Sequence, residues 1–150
     1  MKSKLHRAIT ATLLLTLGLN CNTLANADER TPILVQPAEY DALLGEMRIF
    51  LETVQSISEG IAENDMEAVS QAASVMGMRA AQGVPAPLMA KLPLEFRKLG
   101  MITHQAFDEI SLSASISDDP IEIVAELGEL LLNCTACHAS YRFGIQDQSN

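Results

Sequence analysis

Residues 120–143, PIEIVAELGELLLNCTACHASYRF, carry one helical stripe from end to end. Asp119 followed by Pro120 is an N-cap and first-turn pair. The carboxylate can accept an orphan N–H, and the proline has none to leave unsatisfied. Val124, Leu127, Leu131, Cys134 and His138 then recur at spacings of three and four, one face of a helix expected to run to about Phe143. The stripe ends in C-x-x-C-H, Cys134 to His138, the attachment pattern of c-type haem. The spacing has a mechanical reason. Positions i, i+3 and i+4 share one helical face. Cys134 and Cys137 can each form a thioether to a haem vinyl, while His138 directs its imidazole at the iron. Anchoring and axial ligation of one haem c per chain then come from a single turn.

Two blander readings compete. A bare C-x-x-C can be a redox dithiol, but that version sits in a βαβ context, and no convincing strand is expected here. A zinc site needs about four ligands, and outside the N-terminal segment only Cys134, Cys137, His138 and His104 are on offer.

Upstream, the periodicity gives three more helices. The first runs from about Ala38 to Ala62, with a seam of Leu43, Met47, Phe50, Val54, Ile57 and Ile61. Asn64 or Asp65 can cap the second, which carries Met66, Val69, Ala73, Met76 and Ala80 on one side. Gly83, Pro85 and Pro87 break the chain. The third runs from about Pro93 to Ala114, with Phe96, Leu99, Ala106 and Ile110 inward. Short loops favour antiparallel neighbours. The expected fold is all-α: an antiparallel up-down-up-down four-helix bundle, with haem near the C-terminal end of the last helix.

The N-terminus reads as an export signal. Lys2, Lys4 and Arg7 form a basic region, Ala8–Leu19 an apolar one, and Ala25-Asn26-Ala27 a small-residue cleavage site. A signal peptide over residues 1–27 leaves a single domain, residues 28–150, beginning at Asp28. The apolar run is short for a membrane span. Cys21 offers a lipoprotein alternative, but Asn20 before it suits a lipid-attachment box poorly. Export, here to a periplasm, agrees with the haem motif, because c-type haem is joined to protein in an exported compartment. The full-length net charge is −9, and loss of Lys2, Lys4 and Arg7 takes it to −12. That disfavours nucleic acid and anionic membranes. It suits a redox partner with a basic docking surface, or serves solubility alone.

The stretch Cys134-Thr-Ala-Cys-His-Ala-Ser-Tyr-Arg142 resembles the haem motif of class II cytochromes c, meaning cytochrome c prime and its low-spin relatives. Those proteins commonly read C-x-x-C-H-x-x-Y-R near the C-terminus, whereas ordinary class I cytochromes c carry the motif near the N-terminus. The helix pattern extends the resemblance over about residues 38–143, at lower specificity. It implies that Cys134 and Cys137 carry the haem, that His138 is the proximal ligand, and that Tyr141 and Arg142 lie beside the haem edge. Their bland reading is a helix-end tyrosine and a cation favoured by the helix C-terminus. Relatives of this kind often dimerise through their first two helices, so a homodimer is open.

The same resemblance makes the sixth iron position decisive. Cytochrome c prime leaves it open behind an apolar residue of the first helix; low-spin relatives fill it with a methionine from that helix. Met47 is the candidate. His138 lies about 8 Å from the end of its helix and Met47 about 13 Å from the start of its own. These levels are compatible in an up-down bundle. Met66 falls at the opposite end, and Met76 is the reserve. Met78 and Met89 lie in less predictable surroundings. Met101 and His104 share a face with Arg97, Lys98 and Gln105 and are expected to face solvent. A methionine on a seam also reads as plain core filling. A small register change would put Leu43 or Leu44 over the iron.

Two functions remain open. Electron transfer is one, in which His/Met ligation raises the potential and avoids large ligand rearrangement on redox change. Binding or sensing of nitric oxide or carbon monoxide needs an open apolar distal pocket. An enzyme is not expected, since no inward distal His, Arg or carboxylate appears near Met47; Glu46 and Arg48 adjoin it but point elsewhere.

Overall fold

Gln36 and Pro37 start the longest helix, α1 (Pro37–Glu63). Pro37 needs no N–H partner in the first turn, and the Gln36 N–H donates to the Glu39 carboxylate at 2.7 Å. The computed structural model describes residues 28–147; the expected signal segment, with Cys21 and its lipoprotein alternative, lies outside the described residues. Asn64 ends α1 in the left-handed region (φ 54°), where asparagine is tolerated better than most residues. Asp65 caps α2 (Met66–Ser74), accepting from the Ala68 N–H at 2.9 Å. Two short turns follow, α3 (Met78–Ala81) and α4 (Ala86–Met89), then α5 (Leu94–Ile116) and α6 (Pro120–Ser140). Asp119 caps α6 as its sequence implies, accepting from the Ile121 N–H at 2.9 Å.

The described residues are mostly helical, 73% of them, but the expectation of no strand is corrected. β1 (Thr31–Val35) and β2 (Tyr141–Ile145) pair in parallel, Thr31 opposite Tyr141 and Val35 opposite Ile145. The last helix therefore stops at Ser140 instead of Phe143. Ile33 and Val35 alternate inward. They seal a small core with Leu43, Leu88 and Leu92, against which Phe143 packs. That burial, with the ladder bonds, outweighs the helical preference of a frayed last turn.

The second helix is also interrupted. It ends at Ser74, and Gly77 caps the separate turn α3. Asp108 accepts from the Met78 N–H at 2.9 Å. One turn earlier on α5, His104 Nδ1 bonds the Met76 carbonyl at 2.7 Å. A carbonyl can only accept, so Nδ1 carries the proton. These two bonds hold the break and overturn the expectation that His104 faces solvent: it is buried, while Met101 is exposed. The charged neighbours Arg97 and Lys98 misrepresented this face because the chain after α2 folds back over it.

The main core gathers Ile57, Val69, Phe107, Ile110, Ile123 and Leu130 from the four longer helices. On α6 the buried line is Ile123, Leu127 and Leu130, while Val124 is exposed, a one-residue rotation from the expected stripe. Gly60 is buried where α1 meets α2. A Cβ there would lie 2.8 Å from Val69 Cγ2 and 3.2 Å from the backbone of Asp65 and Val69. Gly60→Ala should gain up to about 1 kcal/mol of helix propensity but lose about 1–3 kcal/mol to overpacking. Net destabilisation is expected as a lower urea midpoint at unchanged slope; a higher midpoint would show that the helices part freely.

Candidate haem site

α1 packs on α2, α2 on α5 and α5 on α6, whereas α1 and α6 touch only sparingly. The gap between them is an apolar cleft of about 340 Å³. Leu131, Cys134, Cys137 and His138 of α6 form one wall; Met47, Phe50, Leu51 and Val54 of α1 form the other. Thr103 and Phe107 of α5 complete the lining. Phe50 and Phe107 stack with centroids 5.6 Å apart, and Cys134 packs on the main core, so the base of the cleft is continuous with that core. A smaller cleft of about 190 Å³ continues past the end of α6. It shares Met47, Cys137 and His138 and adds Tyr40, Arg30, Tyr141 and Arg142.

The residues present fit a covalently held haem. The larger cleft alone falls in the range of about 300–1,000 Å³ usual for cofactor sites, with few polar groups in apolar walls. Cys134 and Cys137 are half-buried and free of any disulfide. Burial pushes both thiols up from their ordinary range, Cys137 further raised by the neighbouring Cys134. Such thiols are poor thiolate nucleophiles, which counts against a redox dithiol. A zinc reading also loses its fourth ligand. Among the described residues no three His, Cys, Asp or Glu side chains gather as a metal-binding group. His104 Nε2 instead faces Glu46 Oε1 at 3.9 Å.

His138 lies in the last turn of α6 with its side chain at the cleft. Its carbonyl accepts from Arg30 Nη1 at 3.4 Å. Met47 is half-buried and lines both clefts opposite His138. Of the alternatives, Leu44 lines the smaller cleft, but Leu43 is turned into the core beneath β1. Met76 is buried in the main core and Met66 lies in it too, so neither lines the two clefts. Met78, Met89 and Met101 line a separate cleft of about 250 Å³ with Glu46 and His104. Burial pushes the Glu46 carboxyl up, against the opposing effect of His104. Glu46 thus belongs to another face of α1 from Met47.

Sequence periodicity missed Leu51, Thr103, Phe107 and Arg30. Leu51 follows Met47 by four positions, which is a helical signal that was available. Thr103 looks polar, yet its hydroxyl is satisfied by donating to the Leu99 carbonyl at 2.8 Å. Arg30 reaches the site through the strand pairing. No family model, curated protein or solved structure matches this chain.

Proposed function

We propose that this chain is an exported, monohaem c-type cytochrome of class II character that transfers single electrons. The observation that carries the reading is the shared cleft: Met47 of α1 faces Cys134, Cys137 and His138 of α6 across apolar walls. In this reading the four longer helices form the up-down-up-down bundle, wedged open between the first and last to take the cofactor. The haem, when bound, supplies an iron that cycles between ferric and ferrous states. Cys134 and Cys137 tether its vinyl edge. His138 donates the proximal nitrogen and Met47 a distal thioether. Phe50, Val54 and Phe107 exclude water, which limits reorganisation and raises the potential. The acidic surface offers a basic redox partner a transient docking face. The signal segment supports a periplasmic location; among the described residues no helix is long and apolar enough to cross a membrane.

The optical spectrum of the oxidised and reduced holoprotein tests this. A low-spin, six-coordinate iron in both states is expected. A high-spin iron that binds carbon monoxide would replace electron transfer with the gas-binding reading, in which the apolar wall around Met47 leaves the sixth position open.

A further inference from the structure

Arg30 and Arg142 stand together at the mouth of the smaller cleft. Only seven Lys and Arg follow residue 27 in this acidic chain, so two at one rim is a concentration of positive charge. Both are positioned by the β1–β2 pair. Arg142 lies in β2 opposite Pro32, and Arg30 immediately precedes Thr31, whose partner is Tyr141. Between the two guanidinium groups sits the carboxylate of Asp28. Arg30 Nε donates to Asp28 Oδ1 at 2.9 Å and Arg30 Nη2 to Oδ2 at 2.7 Å, the two-pronged geometry of an arginine on a carboxylate. Arg142 Nε approaches the same Oδ2 at 3.5 Å. The hydrogen bonds from Arg30, with both positive charges, hold the Asp28 carboxyl down at about 2.

Asp28 precedes β1 and, after cleavage behind Ala27, would be the first residue. Of the trio only Arg142 lies within a strand; Arg30 directly adjoins β1, and Asp28 stands two residues further out. Arg142 is held by the strand ladder, Arg30 by its place beside β1 and its bond to the His138 carbonyl, and Asp28 by its contacts with the two arginines.

We infer that Arg30 and Arg142 form a carboxylate clamp for a haem propionate, with Asp28 as its internal occupant until haem is attached. The inference rests on the haem reading above and names its second point of recognition. The apolar cleft takes the ring, and its charged periphery meets Arg30 and Arg142, the two cations among the described residues that line the smaller cleft. Arg30 also bonds the His138 carbonyl, so the clamp and the proximal ligand share one support. Asp28 keeps the two cations from repelling each other in the haem-free chain and yields to a carboxylate that arrives already tethered by two thioethers, at high effective concentration.

The test uses holoprotein whose haem is isotope-labelled at the propionate carboxylates, read by reduced-minus-oxidised infrared difference spectra and by redox titration. Arg30→Gln and Arg142→Gln should each shift the labelled carboxylate band and lower the potential, since a nearby cation favours the ferrous state. Arg30→Lys keeps the charge but not the fork, so it should recover potential while leaving the band shifted. Asp28→Asn should leave the band where it is in the wild type. An unmoved band in all three arginine variants, or a band that moves only in Asp28→Asn, overturns the clamp while leaving the haem reading intact. A wild-type chain that carries no haem overturns both.

Discussion

Replacing both Cys134 and Cys137 with alanine should abolish covalent haem on this chain, an all-or-none change. Each single replacement should leave at most one thioether. The expectation follows from the placement of both sulfurs one turn apart on α6, in the same cleft as His138. No other cysteine lies within residues 28–150 to substitute for them. Burial pushes both thiols up from their ordinary range, and a thiol S–H adds across a vinyl bond with no leaving group to dispose of. Mass spectrometry under denaturing conditions, after expression with a working maturation system, reads the outcome. The wild type should weigh as one haem plus a chain beginning at Asp28. A wild-type chain without haem sinks the functional reading, and a lipid-modified Cys21 at the N-terminus sinks the cleavage site.

The parts of the fold legible in sequence are those that local chemistry determines. Pro37, Asp65, Asp119 and Pro120 mark helix starts by capping rules that depend on a few neighbouring residues, and the structure puts helices there. The seam of α1 was legible because its apolar positions repeat over about five turns. What escaped depends on distant partners. Thr31–Val35 alternates over only five residues, and its parallel partner is 110 positions away, so neither strand announces itself. Tyr141–Phe143 looked like more helix for the same reason. His104 was misplaced because its burial depends on Met76, 28 residues earlier, turning a carbonyl toward it. The site divides likewise. Cys134, Cys137 and His138 came from one local motif and Met47 from one local seam. Arg30 could be placed only through the strand pair, and local patterning carries no information about it.

Met47→Leu should convert the iron from low-spin to high-spin or water-ligated, lower the potential and open the site to carbon monoxide. Leucine nearly conserves the volume of methionine, so the packing cost should stay below about 1.5 kcal/mol while the sulfur donor disappears. Met47→Ala should have the same spectral effect with a larger loss of stability. Full burial would set that loss at about 2–5 kcal/mol, and the half-buried position of Met47 puts it toward the low end. The pair of variants separates ligation from packing, since only ligation predicts that both lose the wild-type low-spin spectrum alike while differing in stability. The neighbouring side chains sharpen the expectation. Leu44 and Leu51 lie one turn to either side of Met47 on the same flank of α1, and each lines one of the two clefts. Neither carries a donor atom, and Thr103 spends its hydroxyl proton on Leu99. With Met47 gone, no side chain on that wall can replace its sulfur, and the iron must take water, an external gas or nothing. An unchanged spectrum and unchanged carbon monoxide affinity in Met47→Leu would make Met47 a packing residue only. Because Met76 is buried in the core away from both clefts, that result together with a high-spin wild type would mean an open sixth position and a gas-binding protein.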